Sequence, residues 1–142
     1  SNLDPIFTKH EPILEEKLDL RGPDGKKGTK DDDYWFPVRG DTTVEYNYAV
    51  WSNIHFGFVG AAAGFGLGTL QTGANLPLIG GTASGDKSDE LSVRIGYELW
   101  AKHETNLTAD QLHQAILDHS KEYRELWERG EGQSVTDPRN NR

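Results

Sequence analysis

The chain has 142 residues, no cysteine and a formal net charge of −8, from 15 Lys and Arg against 23 Asp and Glu. This length suits one domain with its own core, and the lack of cysteine excludes a disulfide scaffold and thiolate catalysis. The negative charge argues against a general nucleic-acid coat or a binder of anionic membranes, because both need clustered cations.

The first 33 residues predict two short helices and a loop. The chain starts SNLDP without Met or a leader pattern, so we interpret residues 1–2 as an expression scar on a piece of a longer protein. Asp4 and Pro5 favour a helix start, and Pro12 divides the segment that follows. Residues 21–33 are turn formers and charges, which is typical of a solvated loop.

A hairpin or extended pair is predicted next. Aromatic and β-branched residues at 34–38 (YWFPV) and 42–46 (TTVEY) flank a turn at residues 39–41. Pro37 has no N–H to donate, so the first of these strands should lie at an edge.

The most unusual segment is YAVWSNIHFGFVGAAAG at residues 48–64. It is close to membrane-spanning length, but its polar residues and glycines favour a buried helix, so no membrane span is expected. Helical spacing separates two faces. The face expected in the core holds Tyr48, Trp51, His55, Val59 and Ala62. A neighbouring face of bare backbone holds Asn53, Gly57, Gly60 and Gly64.

The rest of the chain predicts further helices. One short helix is expected within residues 66–81, and Asp86 or Ser88 can cap a helix with a Leu91, Ile95, Leu99 stripe. A capping box at residues 108–111 should start one long final helix, and residues 131–142 read as a flexible polar tail. The predicted fold is therefore mainly α (α+β): a single compact domain of about four to six helices with a small hairpin.

Several residues of the hairpin and the central helix are candidates for chemistry. His55 fits either a core histidine or a general acid or base, and Asn53 fits either a structural amide or an oxyanion donor. For Gly57 and Gly60, close helix packing is favoured over approach of a substrate.

The predicted turn adds two further candidates, and other site types lack support. Arg39 could hold an anionic group and Asp41 could cap or act as an acid or base, although ordinary turn chemistry explains both. Neither the acidic run at residues 31–33 nor the histidines have the spacing of metal ligands. We expect no metal and no cofactor.

The run from Tyr48 to Phe65 resembles the core motif of the bacterial polymorphic toxin type 44 domain family. That motif has Asn, an apolar residue, His or Asn, an aromatic residue and Gly before a Gly/Ala-rich helix, which corresponds to residues 53–64 here. The segment GYELW at residues 96–100 is similar to the second helix of the family. The resemblance covers Trp35 to Trp100.

The resemblance implies a toxin domain at residues 3–130, carried by a larger secreted protein and delivered into a competing bacterial cell. A cognate immunity protein would protect the producer. It also implies an enzyme, with a nuclease acting on nucleic acid in the target cytoplasm as the favoured activity. In that case His55 would be the acid or base, Arg39 would stabilise developing negative charge and Asn53 would orient the substrate.

Two alternatives remain open. A peptidoglycan-cleaving hydrolase acting in the periplasm would use Asp41 or Glu45 beside the glycine face, and the acidic balance tolerates such a substrate better. The other alternative is a binding module without catalysis, in which the glycine face packs on a partner.

Overall fold

The structure, a computed structural model, describes residues 35–74 and 86–137, except for the side chains of Thr42 and Ala74. The helices predicted near Asp4 and the loop at residues 21–33 lie outside these ranges. Within the described ranges the chain forms three strands, five α-helices and one 3₁₀ turn. The mainly α, α+β fold with a small hairpin is therefore confirmed.

The predicted hairpin consists of β1 (Trp35–Val38) and β2 (Asp41–Asn47), which pair antiparallel. Gly40 in the turn has φ +100°, a conformation that glycine adopts without steric cost. The register shifts between Pro37 and Val38, so Val38 pairs with Asp41. β1 lies at the edge of the sheet, as Pro37 predicts.

A third strand, β3 (Val135–Thr136), pairs antiparallel with β2 in the segment that the sequence assigned to a polar tail. Val135 is 1% exposed, and the hydroxyl of Ser134 donates to that of Ser88 at 2.6 Å. Residues 131–137 thus pack on the fold, unlike the flexible tail expected there. A strand of two residues is too short to show an alternating pattern in the sequence.

The unusual segment forms α1 (Ala49–Ala62), and α2 (Leu67–Ala74) is the short helix predicted after it. The buried face of α1 differs from the predicted one, because it includes Asn53 and Gly57 while His55 is only partly buried. Trp51 is buried as predicted and meets Phe36 of β1 edge to face, with 5.8 Å between ring centroids. The helix therefore buries more than one face.

The longest helix of the described residues is α3 (Lys87–His103). Asp86 is its N-cap, and a capping box joins Asp86 with Asp89 at the third helical position. The predicted stripe of Leu91, Ile95 and Leu99 is buried. A 3₁₀ turn (Glu104–Asn106) follows.

The predicted long final helix is two helices, α4 (Ala109–Asp118) and α5 (Ser120–Glu128). The capping box of Thr108 and Gln111 starts α4 as predicted. The chain leaves helical geometry at His119, whose Nδ1 bonds with the carbonyl oxygen of Ala115 at 2.7 Å. Ile116 and Tyr123 nevertheless both lie in the core, on either side of this interruption.

One main hydrophobic core joins the inner face of the sheet to α1, α3, α4 and α5. α1 and α3 run parallel, because Asn53 contacts Asp89 near their starts and Phe58 contacts Trp100 farther along. No helix among the described residues has the length and apolarity that crossing a membrane requires.

Candidate functional site

α1 and α3 touch through one glycine on each helix. A Cβ atom at Gly57 would collide with the carbonyl oxygen of Val93, and one at Gly96 would collide with that of Ile54. The two backbones therefore lie closer than any larger side chain would allow. This places Gly57 in a helix–helix contact, the use that the sequence analysis favoured.

Gly60 lies against α2 in a similar way. A Cβ there would collide with the side chain of Leu70, which is 4% exposed. The face of bare backbone, for which helix packing and approach of a substrate were the two interpretations, is thus covered by α3 at Gly57 and by α2 at Gly60. Open space remains at Gly64, Gly66 and Gly68, where a Cβ would meet nothing within 4 Å.

Asn53 is 1% exposed and lies in a buried polar network at the start of α3. Its Nδ2 donates to Oδ1 of Asp89 at 3.1 Å, and the backbone N–H of Asp86 donates to Oδ2 of the same carboxyl group at 3.0 Å. Burial raises the pKa of Asp89 to about 6, although the bond from Asp86 opposes the shift; the charges of Asp86 and Glu90 add to the rise. The contact fits the structural role suggested for the Asn53 amide.

Asp41 lies in a second polar cluster at the start of β2. Its Oδ1 accepts from the backbone N–H and hydroxyl of Thr43, and its Oδ2 accepts from the hydroxyl of Tyr46 at 2.9 Å. Burial alone would raise the pKa of Asp41, but these bonds and the charge of Arg124 outweigh it and hold the pKa below its usual range. An ionised, fully bonded carboxylate is a poor general acid near neutral pH.

Buried hydroxyl groups connect the sheet to α3. The ring of Tyr46 meets that of Tyr123 edge to face, with 5.8 Å between centroids. The hydroxyls of Tyr123 and Ser92 are 2.6 Å apart, and Ser92 also donates to the carbonyl oxygen of Ser88. Since Ser134 donates to the Ser88 hydroxyl, polar contacts run from α5 through α3 to the segment before β3, and the ring contact of Tyr46 joins β2 to them.

The candidate carboxylates Glu45 and Asp41 both lie in β2. Both are buried, with 7% and 9% exposure. His55 lies on α1 and is partly exposed. Among the candidate acids and bases, His55 is therefore the residue with the largest exposed fraction, although Nε2 of its ring is buried.

Arg39 lies in the turn of the hairpin with its side chain exposed. Its carbonyl oxygen bonds with Nε2 of His113 at 2.8 Å, which ties the turn to α4. In the described part of the chain no hydrogen bond or ion pair joins Arg39 to His55. The predicted cation and the predicted base are thus not bonded directly to one another.

A cleft of about 260 Å³ opens between α2, α3 and α5. Charged and apolar side chains line it: Gln71, Lys87, Glu90, Leu91, Arg94, Glu122 and Leu126. Arg94 and Glu122 pair across it at 2.7 Å. None of the candidate catalytic residues lines this cleft.

Asp89 and Arg124 take part in the two polar clusters and are not among the candidates predicted from the sequence. The spacing of Asp86 and Asp89 before an apolar stripe fits a capping box and could have identified Asp89. Arg124 carries no such pattern; its Nη1 lies 3.4 Å from the hydroxyl of Thr43, a residue distant in sequence. No group of three or more His, Asp or Glu side chains in the described ranges could hold a metal ion.

The stretch of sequence that contains α1 and α2 has no charged residues. Between Glu45 and Asp86 the sequence has no Asp, Glu, Lys or Arg, and His55 is its one histidine. The described part of this stretch, residues 46–74, contains α1 and α2. An anionic polymer that bound along this surface would find no cation within the stretch itself.

The family comparison covers more of the chain than the motif does. The family model described as bacterial toxin 44 matches residues 26–137, which include the three strands and five α-helices of the described ranges. No curated protein and no solved structure matches the chain. The match extends over most of the chain and agrees with the motif on α1, and the chain belongs to the bacterial toxin 44 family.

Proposed function

We propose that this domain is the toxic module of a secreted bacterial protein used against competing bacteria, and that it is a nuclease with His55 as its acid or base. Family membership supports a toxin domain. The observation that carries the catalytic assignment is the partial exposure of His55 on the motif helix, while Asp41 and Glu45 are buried. In this reaction His55 takes a proton from the attacking oxygen, and the protonated His55 then donates a proton to the leaving oxygen.

The other candidate residues have supporting roles in this proposal. Arg39, exposed in the hairpin turn, binds phosphates away from the bond that is cleaved. Asn53 holds α1 against α3 through Asp89, and so positions His55 two residues farther along α1. In the producing cell a cognate immunity protein blocks the domain.

A peptidoglycan-cleaving hydrolase is the second candidate, because the stretch around His55 lacks charged residues. Nucleases bind phosphates mainly through Lys and Arg, whereas sugars are bound through polar groups and aromatic rings. The exposed ring of Phe65, beside the open backbone of Gly64 and Gly66, offers such a surface.

Expression of the domain in bacteria without immunity protein, either in the cytosol or exported, distinguishes the two activities. We expect growth arrest from the cytosol with fragmented RNA or DNA. Lysis that occurs only on export would reject the nuclease and favour cell-wall cleavage.

The residue assignment is tested by His55→Gln, with His103→Gln as the matched control. His103 is a partly exposed histidine in the last turn of α3. We expect His55→Gln to reduce nuclease activity at least about 100-fold at unchanged thermal stability, and His103→Gln to stay as toxic as the parent. If folded His55→Gln remains fully toxic, the catalytic role is wrong; a toxic domain that cleaves neither polymer would indicate a binding module.

A further inference from the structure

Asp89 is a buried carboxyl group that the proposed reaction does not use. It is 5% exposed and lies between the starts of α1 and α3. Two donors reach it: Nδ2 of Asn53 at Oδ1 and the backbone N–H of Asp86 at Oδ2. Both donors are neutral, so each stabilises a negative charge less than an Arg or Lys would.

The charged groups around Asp89 do not compensate for its burial. On α3 itself Asp86 and Glu90 repel a negative charge, and Lys87 points to Glu131 at 3.2 Å. No ion pair among the described residues includes Asp89.

No cation on the described elements packed against α3 pairs with Asp89 either. α5 contributes the neutral hydroxyl of Tyr123 and, farther out, Glu122, which pairs with Arg94. From α1 the neutral side chain of Asn53 is the group that faces Asp89. Among the described residues, a charge on Asp89 is therefore buried without a cationic partner.

The Asn53 amide can serve either protonation state of Asp89. As the structure stands, its Nδ2 donates and its Oδ1 is buried without a hydrogen-bond partner in the described part of the chain. Rotation of the amide by about 180° would turn Oδ1 toward Asp89, because the amide oxygen and nitrogen are nearly equal in shape. A protonated Asp89 could then donate to Asn53.

We propose that Asp89 and Asn53 form a proton-linked joint between α1 and α3: neutral Asp89 donates to Asn53 Oδ1, and on ionisation the amide rotates and donates instead. One hydrogen bond joins the two helices in each state. The fold is more stable when Asp89 is neutral, because no uncompensated charge is then buried. The domain is consequently most firmly held together in mildly acidic surroundings and loosens at this joint as the pH rises.

The direction of the effect follows from linkage. The folded domain holds the Asp89 proton up to a pKa of about 6, whereas the ordinary aspartate pKa is 3.8. Between these two values the folded state binds more protons than the unfolded state, so stability falls with rising pH. From about pH 5 to about pH 8 this group alone raises the unfolding constant about tenfold.

The Asp89→Asn variant tests the joint, because its amide is always neutral and can still accept from Asp86 and donate to Asn53. Denaturant unfolding of the whole chain is measured at about pH 5 and about pH 8. For each protein we take the ratio of its unfolding constant at about pH 8 to that at about pH 5. We expect this ratio to be about tenfold larger for the parent than for the variant. Asp110→Asn is the control, since Asp110 is exposed in the first turn of α4 and should leave the pH dependence unchanged.

Titration of the Asp89 carboxyl carbon by NMR gives a second measurement on the unmodified protein, which decides the matter if the variant does not fold. A midpoint near pH 6, together with an Asn53 amide signal that shifts at the same pH, supports the joint. A midpoint near the ordinary aspartate value, or an Asn53 signal that does not respond, overturns it.

Discussion

At the scale of single residues, Gly57 separates two interpretations that the sequence left open. A methyl group there would collide with the Val93 carbonyl oxygen, which belongs to the backbone of α3 and cannot rotate away. We expect Gly57→Ala to destabilise the fold by about 1–3 kcal/mol through overpacking. Urea unfolding measures this difference directly.

The control for this prediction is Gly68→Ala. Gly68 lies in α2, is exposed and has open space where a Cβ would stand, so alanine should stabilise the helix by up to about 1 kcal/mol. If Gly57→Ala keeps full stability but loses toxicity, the position approaches a substrate and the helix contact described here is not its main role.

Local sequence patterns predicted some of the residue roles and not others. Thr108 and Asp86 could be identified as caps, because capping depends on side chains within a few residues. The pairing of Asn53 with Asp89 could not, because it joins residues that are distant in sequence. The periodicity of α1 was also misleading: the helix is covered by both the sheet and α3, so its polar and glycine face is as buried as the aromatic one.

At the scale of elements, β3 shows that residues 131–137 stabilise the fold. Val135 is 1% exposed and pairs with Tyr46 of β2. We expect Val135→Ala to lower the free energy of unfolding by about 2 kcal/mol, from lost burial and a small cavity. Differential scanning calorimetry would show the lower melting temperature.

Gln133→Ala is the matched control for β3, because the Gln133 side chain is exposed and its backbone N–H bond to Asp86 is retained. A change within about 0.5 kcal/mol is expected. Equal stability of the two variants would mean that β3 adds little to the fold and that the polar-tail prediction applies to this segment after all.

The division of the last helix had no clear sequence signal. Leu112, Ile116 and Tyr123 keep near-helical spacing across His119, so the pattern alone predicted one helix. Helix periodicity constrains which residues face the core, but a bend of one residue leaves that periodicity almost intact. The number of helices was therefore less predictable than the mainly α fold.

At the scale of the whole molecule, charge constrains the proposed nuclease. The net charge is −8, and the sequence around His55 has no charged residue between Glu45 and Asp86. The domain therefore has few cations near His55 in the sequence that could neutralise RNA phosphates. We expect RNA binding whose logarithm falls with the logarithm of salt concentration at a slope of only about −1 to −2. Fluorescence anisotropy with labelled RNA over a salt series measures the slope.

A slope several times steeper would mean that the domain presents a larger cationic surface than its charge distribution suggests. The absence of any RNA binding, with retained toxicity on export, would instead agree with the cell-wall hydrolase. Binding of an uncharged oligosaccharide with the same affinity at every salt concentration would also favour the cell-wall hydrolase.

The small sheet also affects how the domain behaves at high local concentration. Of its described strands, β1 carries Pro37 at the exposed edge and β3 has only two residues. Proline and short length both discourage a strand of another molecule from adding to a sheet edge. Neighbouring copies of the domain are therefore less able to join their sheets and aggregate before folding is complete.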